Sequence, residues 1–143
     1  MFSAIDIFTM GQRFNKAYTK IIRQVAEEHQ MTKLEIDILL FLNNNPSFDT
    51  AKDIVALRAL SKSNVSKAVE ALHKRGYLQI AEDKKDRRTQ HLYIETAASH
   101  IVNQAATAQQ HFFELLYKGI SDEERRILKS VQDKMIQNLN TIG

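Results

Sequence analysis

A group of short polar and basic side chains in the middle of the chain is the first feature that could do chemistry. Its members offer hydroxyl, amide and ammonium groups: Ser61, Lys62, Ser63, Asn64, Ser66 and Lys67. Val65, Val69 and Leu72 recur between and after them at helical spacing, so we predict an amphipathic helix that begins at Ser61. Such a helix start can reach base edges, because the major groove of DNA is about 12 Å wide and admits one helix. The same composition also fits a capped helix in solvent, and this element alone leaves both interpretations open.

A charged run, Glu82–Arg88, follows this group further along the chain and contains more cations than carboxylates. The cations are Lys84, Lys85, Arg87 and Arg88. Three carboxylates cannot satisfy all of them, so some of the cations need an external anion. An arginine at a flexible hairpin tip suits the minor groove, whose negative potential deepens where the groove narrows, and a neighbouring aspartate can hold the guanidinium. The alternative is a turn that is simply solvated.

The distribution of charge supports an anionic partner more than the net charge of +3 does. The segment from Arg58 to Arg88 holds nine basic and four acidic residues, and the remainder of the chain is slightly acidic. This asymmetry is typical of a protein in which one face meets phosphates and the flanks do something else. A solvated charged surface remains the other interpretation.

Helices are expected to position these groups. Apolar spacing predicts a long first helix over 5–28, and the capping box Thr32–Glu35 predicts a second that ends near Asn43. A third, short helix is expected from Asp49 or Thr50 to about Ala59. The helix at Ser61 is then the fourth, and Gly76 fits the left-handed position after it.

A small hairpin and two further helices complete the predicted order. Alternating residues predict strands at Tyr77–Ala81 and Gln90–Glu95, joined by the basic run. A fifth helix is expected over Thr96–Lys118, and a capping box at Ser121 opens a last helix that ends near residue 141. The predicted fold class is mainly α with a small β-hairpin wing, in a single domain over 1–143.

Composition excludes several classes of function. The chain has no cysteine, which rules out disulfides, thiolate metal sites and a cysteine nucleophile. No nucleophile elbow, glycine-rich phosphate loop or metalloprotease motif occurs, so we expect no enzyme and no cofactor. No stretch reaches the roughly 18 apolar residues of a membrane span, and the start lacks the pattern of a signal peptide. We therefore expect a cytoplasmic protein with no membrane partner.

Residues 31–96 resemble, in order, the multiple-antibiotic-resistance regulator (MarR) family of winged-helix repressors. The resemblance rests on Met31-Thr32, Thr50–Leu57, Leu60–Leu78 and Asp83–Arg88. It implies a winged helix-turn-helix over about 31–96 and a sequence-specific regulator of transcription that binds duplex DNA, as a repressor. The Asp-x-Arg motif of such wings falls on Asp86 and Arg88, which implies that Arg88 enters the minor groove and that Asp86 orients it. Ile94–Ser99 lacks the glycine that commonly follows the wing in the family.

The resemblance also implies a homodimer and an effector. Helices over about 5–28 and 97–141 would form the dimer, although the same apolar stripes could be intramolecular core. Two recognition helices would then read a pseudo-palindromic operator. A small aromatic or lipophilic ligand would release the DNA. Candidate lining residues for that ligand, which could equally be core, are Met10, Phe14, Tyr18, His111 and Phe112.

Two other functions remain open from the sequence. One is a zinc-responsive regulator, for which the available donors are His29, His100, His111, Glu27, Glu28 and Glu35. No two histidines stand three or four residues apart on a helix, so we expect no metal site. The other is a winged helix that binds a protein partner instead of DNA, against which the unpaired cations of the hairpin argue.

Overall fold

A computed structural model describes residues 3–143, so the first two residues of the predicted 1–143 domain lie outside the described part. The backbone divides into two compact units, Met1–Phe112 and Phe113–Gly143. The first unit contains α1 (Ala4–Glu28), α2 (Lys33–Asn44), α3 (Ala51–Arg58) and α4 (Lys62–Lys74). These bounds agree with the predicted helices to within one or two residues.

A hairpin follows α4. Strands β1 (Leu78–Glu82) and β2 (Gln90–Ile94) pair antiparallel, with Leu78 opposite Ile94 and Glu82 opposite Gln90. A 3-10 turn at Thr96–Ala98 leads into α5 (Ser99–Leu116), and α6 spans Asp122–Ile142. The fifth helix thus opens with a tighter turn than its apolar spacing predicts. None of the described helices is long and apolar enough to span a membrane.

Four helices begin with a capping box, in which a hydroxyl and a carboxylate satisfy backbone N–H groups that the helix leaves free. The pairs are Ser3 with Asp6, Thr32 with Glu35, Thr50 with Asp53 and Ser121 with Glu124. Gly76 and Gly119 adopt positive φ after α4 and α5, where a side chain would be strained. Ala59 ends α3 in the same left-handed conformation although it is not glycine.

The core of the first unit surrounds α2. Residues 35–42 of this helix are all buried, because α1, α4 and β2 contact it from different sides. Ile22 of α1, Ile54 of α3, Leu72 of α4 and Leu92 of β2 pack into the same cluster. α3, α4 and the hairpin are therefore fixed on one apolar centre.

The second unit contains no buried residue in α6. Large apolar side chains on this helix are exposed at intervals of three or four: Leu128, Val131, Met135, Leu139 and Ile142. The start of α1 is similar, since Ile5, Ile7, Phe8 and Met10 are also exposed. The apolar side chains of α6 and of the start of α1 are thus not buried within the described chain, whereas the second half of α1 packs into the core.

Candidate nucleic-acid interface

Helix α4 presents the polar residues that its sequence predicted to be at its surface. Val65, Ala68, Val69 and Leu72 are buried on one side. The candidate contact residues are all exposed: Ser61, Lys62, Ser63, Asn64, Ser66 and Lys67. The apolar side anchors the helix and leaves its first two turns open to a ligand.

The first turn of α4 differs from those of the other capped α-helices in having no acidic residue. Ser61 is the N-cap, and its hydroxyl accepts a hydrogen bond from the Asn64 backbone N–H at 3.2 Å. Asn64 occupies the position that Glu35, Asp53 or Glu124 takes elsewhere. The partial positive charge of this helix end is therefore not offset by a carboxylate, which favours an anion in front of it.

The turn of the wing is organised by two aspartates that bind backbone, not cations. Asp83 Oδ2 accepts from the N–H groups of Lys85 and Asp86 at 3.0 and 2.9 Å. Asp86 Oδ1 accepts from the Arg88 N–H at 3.0 Å. The sequence suggested that an aspartate would hold the guanidinium itself; Asp86 instead fixes the backbone from which the Arg88 side chain extends.

The four cations of the wing are exposed, and no ion pair joins them to a carboxylate anywhere within residues 3–143. They are Lys84, Lys85, Arg87 and Arg88. Asp83 and Asp86 accept from backbone N–H groups and do not pair with these cations, which are therefore available to an external anion.

A groove of about 730 Å³ lies between α3, α4 and the wing. Lys62 and Ser66 of α4 line it together with Arg88 of the wing. Lys52 of α3 adds another cation, and Glu70 is the acidic residue in the lining. The fold thus brings the two sequence segments that carry the candidate contacts, 61–67 and 84–88, to one surface.

His91 at the base of the wing is a feature that the sequence reasoning missed. Its Nδ1 lies 2.8 Å from Asp49 Oδ1, and its Nε2 lies 2.8 Å from Asp83 Oδ1. These hydrogen bonds raise the pKa of His91, and the contact with His91 together with the two backbone N–H groups lowers the pKa of Asp83. Asp49 is far from His91 in sequence, and no short-range pattern connects them.

A second missed feature is a small polar crevice of about 110 Å³ beside Asp37 of α2. Asp37 is buried; its Oδ2 pairs with Lys33 at 2.5 Å and lies 3.7 Å from Arg58 at the end of α3. Its Oδ1 has no hydrogen-bond partner among the described residues. Tyr18 of α1 and Gln109 of α5 also line the crevice and are hydrogen-bonded to each other at 2.8 Å.

The candidate ligand residues fall into two groups. Phe14, Tyr18 and Phe112 pack on one another, with ring centroids 5.3 to 5.9 Å apart. Burial of the Tyr18 hydroxyl raises its pKa. Met10 and His111 are exposed. Three of the five residues therefore form one aromatic cluster, and of these Tyr18 also reaches the crevice beside Asp37.

Three of the six candidate zinc donors, His29, Glu28 and Glu35, are hydrogen-bonded to other groups. His29 Nε2 lies 2.7 Å from Gln104 Oε1, and Gln104 also donates to Glu28. Glu35 accepts from the Thr32 N–H in its capping box. Within residues 3–143 no group of three histidine or acidic residues is arranged to hold a metal ion.

One family model matches part of the chain, over α2, α3, α4 and the first strand and turn of the hairpin. Residues 29–89 match the model of the MarR family. No curated protein matches the chain.

Solved structures agree with the whole fold at low sequence identity. A MarR protein from Peptoclostridium difficile is 20% identical with a TM-score of 0.79, over 99% of this chain and 93% of that one. The MepR–DNA complex of S. aureus is 19% identical with a TM-score of 0.76, over 96% and 97%. BpsR of Bordetella bronchiseptica, described with regulation of its DNA binding by 6-hydroxynicotinic acid, is 19% identical with a TM-score of 0.68, over 90% and 97%.

Proposed function

We propose that this chain, whose residues 29–89 belong to the MarR family, is a transcriptional regulator that binds duplex DNA sequence-specifically and represses until a small ligand releases it. The observation that carries the proposal is the shared groove of Lys62, Ser66 and Arg88. A helix start that lacks acidic residues and a basic wing lie on the same surface, so the major and minor grooves can be contacted together. MepR, which has the same fold, is solved in complex with DNA.

Roles follow from the chemistry of each segment. Asn64 and Ser66 are proposed to contact base edges and so to set sequence preference. Lys62 and Lys67, with the wing lysines and Arg87, are proposed to contact phosphates. Arg88 is proposed to enter the minor groove from the backbone position that Asp86 fixes.

We further propose a homodimer through the exposed apolar faces of α1 and α6. Leu128, Val131, Met135, Leu139 and Ile142 recur at the spacing of a helix-packing seam. A second copy presents the same seam, which makes the contact self-complementary as a two-fold interface requires. Under this proposal residues 1–143 act as one domain once paired, and the operator has two related half-sites.

Ligand release is proposed to act through the crevice beside Asp37. α1, α2, α3 and α5 all contribute to its lining, so an occupant would touch both a proposed dimerisation helix and the helix-turn-helix. At about 110 Å³ it has room for the polar end of a small ligand, and the Asp37 oxygen that has no partner among the described residues could accept a hydrogen bond from a donor there. The aromatic part would rest on the cluster of Phe14, Tyr18 and Phe112. Adding 6-hydroxynicotinic acid and other small aromatic compounds to a protein–DNA titration tests this release.

Selection of random duplexes with the purified protein, followed by fluorescence anisotropy on a selected and a scrambled duplex, tests DNA binding. A regulator should prefer the selected duplex by about 10³-fold or more, and its affinity should fall steeply with salt. The rival function is a winged helix that binds a protein partner. It predicts no enriched sequence and affinity no tighter than about 10⁻⁴ to 10⁻⁶ M.

A further inference from the structure

We propose that His91 is a positioning residue for the DNA-contacting wing, and that its protonation clamps the wing to the start of α3 so that DNA binding weakens as pH rises. This inference rests on the proposed function. It adds a residue and a form of regulation to the proposed DNA contacts.

The hydrogen-bond chemistry of the imidazole requires the protonated form. Both ring nitrogens of His91 lie 2.8 Å from carboxylate oxygens, on Asp49 and on Asp83. An ionised carboxylate only accepts, and a neutral imidazole has one N–H and one lone pair. The neutral ring can therefore donate to one aspartate but faces the other with a lone pair. Only the imidazolium satisfies both contacts at once.

The two aspartates belong to different parts of the fold. Asp49 precedes Thr50, the N-cap of α3, and its carbonyl accepts from the Leu92 N–H at 2.7 Å. Asp83 lies in the turn of the wing and holds the N–H groups of Lys85 and Asp86. His91 is thus a bridge between the helix-turn-helix and the turn that presents the wing cations.

The contacts continue to the proposed minor-groove residue. Asp86, whose N–H is held by Asp83, accepts in turn from the N–H of Arg88. Thr89 closes the turn, because its N–H donates to the Asp86 carbonyl and its carbonyl accepts from the Asp83 N–H. Loss of the Asp83 contact would leave the backbone contacts of β2 with Asp49 and Thr50 in place, but it would free the turn from its side-chain link to Asp49. The fraction of wings that hold Arg88 in place would then fall.

The electrostatic surroundings of His91 are simple. Asp49 and Asp83 are the charged groups that act on it, and both raise its pKa. Glu82 and Gln90 pair with each other next along the hairpin, and Asp53 is engaged with Thr50 in its capping box. The wing cations make no ion pair with either of the two aspartates. The clamp is closed below the raised pKa of His91 and opens as pH rises through it.

The test compares affinity for the selected duplex at about pH 6 and about pH 8.5, on the two sides of histidine titration. We expect the wild-type chain to bind about tenfold more tightly at the lower pH, the change that accompanies a one-unit rise in the pKa of His91 on binding. His91→Gln should bind at the weaker level at both pH values, because the amide NH2 can face one aspartate while the amide oxygen, which only accepts, faces the other. His100→Gln, an exposed histidine on α5, is the matched control and should keep the wild-type pH dependence.

Asp49→Asn separates the clamp from a direct contact between His91 and a phosphate. If His91 only contacts a phosphate, Asp49→Asn should strengthen DNA binding, because it removes a negative charge near the DNA. If His91 acts as the clamp, Asp49→Asn should weaken binding at the lower pH. Histidine NMR of the free protein gives a reading that does not depend on DNA, and the pKa of His91 should fall in Asp49→Asn.

The two Asp49→Asn measurements test the proposal even if His91→Gln fails to fold. Wild-type pH dependence in His91→Gln, tighter binding by Asp49→Asn, or a pKa of His91 that Asp49→Asn leaves unchanged would overturn it. If no duplex is selected, the proposed function fails together with this inference. Sequence-specific binding that ignores pH would remove the clamp alone.

Discussion

The guanidinium of Arg75, directly after α4, donates hydrogen bonds to the carbonyls of His29 and Gln30, directly after α1. The distances are 2.8 Å from Nη2 to the His29 oxygen and 2.9 Å from Nη1 to the Gln30 oxygen. Arg75 also stacks over the Tyr77 ring, 5.1 Å from its centroid. One side chain thus links the end of α4, the proposed DNA-contacting helix, to the end of α1, a proposed dimerisation helix.

Removing this link should loosen the recognition helix. Arg75→Ala is expected to lower the free energy of unfolding by about 1 kcal/mol, since the two hydrogen bonds are charge-assisted but exposed to solvent. Affinity for the selected duplex should fall as well, because the spacing of the two recognition helices depends on it. Urea unfolding and anisotropy measure the two effects. Arg23→Ala, an exposed arginine of α1, is the control; equal losses in both variants would show that charge alone matters.

Asn64→Glu should improve the fold and impair binding at the same time. It completes the capping box with Ser61, which is expected to add about 0.5 kcal/mol of stability through the cap and the helix dipole. The new carboxylate stands where the proposed DNA lies, so affinity for the duplex should fall by about tenfold or more. Asn64→Gln separates side-chain size from charge. A variant that is more stable and binds normally would place DNA away from this helix end.

How far the sequence predicts these features depends on the distance between the partners. Local chemistry was sufficient for α2, α3, α4 and α6, whose capping residues stand within three positions of each other. The tight turn at Thr96–Ala98 was missed because its apolar spacing resembles that of an α-helix. Ala59 was predicted to end α3, but its left-handed backbone conformation was not predicted, because alanine rarely adopts a positive φ.

The features of the candidate site were likewise predictable where they are local in sequence and unpredictable where they join distant residues. Polar residues on an amphipathic helix revealed the surface of α4, and the excess of cations revealed the wing. The His91 bridge and the Asp37 crevice join residues that are dozens of positions apart, which a single sequence does not connect. Asp83 was taken as a counter-ion for the wing cations, whereas it binds backbone and histidine, because composition counts charges without assigning their partners.

Arg88→Ala should cost about 1 to 3 kcal/mol of binding free energy and reduce the salt dependence by about one unit of slope. The reason is the loss of a charge that no carboxylate of residues 3–143 neutralises in an ion pair. Titrations at several salt concentrations give both quantities. Arg13→Ala, an exposed arginine in α1, should leave the slope unchanged, and an unchanged slope in Arg88→Ala would remove that residue from the interface.

Met135→Asp should separate the proposed dimer. Its side chain is 49% exposed in the single chain and lies at the centre of the α6 seam, so a buried carboxylate would have no partner there. Sedimentation velocity should show a monomer, and duplex affinity should fall by about a hundredfold because two half-sites are no longer linked. Gln137→Asp adds the same charge off the seam. If the Met135→Asp protein is still a dimer, the interface is not formed by this face of α6, and the exposed face of α1 becomes the next one to test.

The exposed apolar face of α6 links the stability of the protein to its concentration in the cell. Under the proposed dimer, this helix, which has no buried residue in the single chain, gains its stability from association, so its persistence depends on protomer concentration. A newly made chain that finds no partner exposes a long apolar face, of the kind that chaperones and proteases act on. If the protein acts as the proposed repressor, scarcity would therefore reduce both occupancy of the operator and the lifetime of each copy, and repression would fall more steeply than the protein level itself.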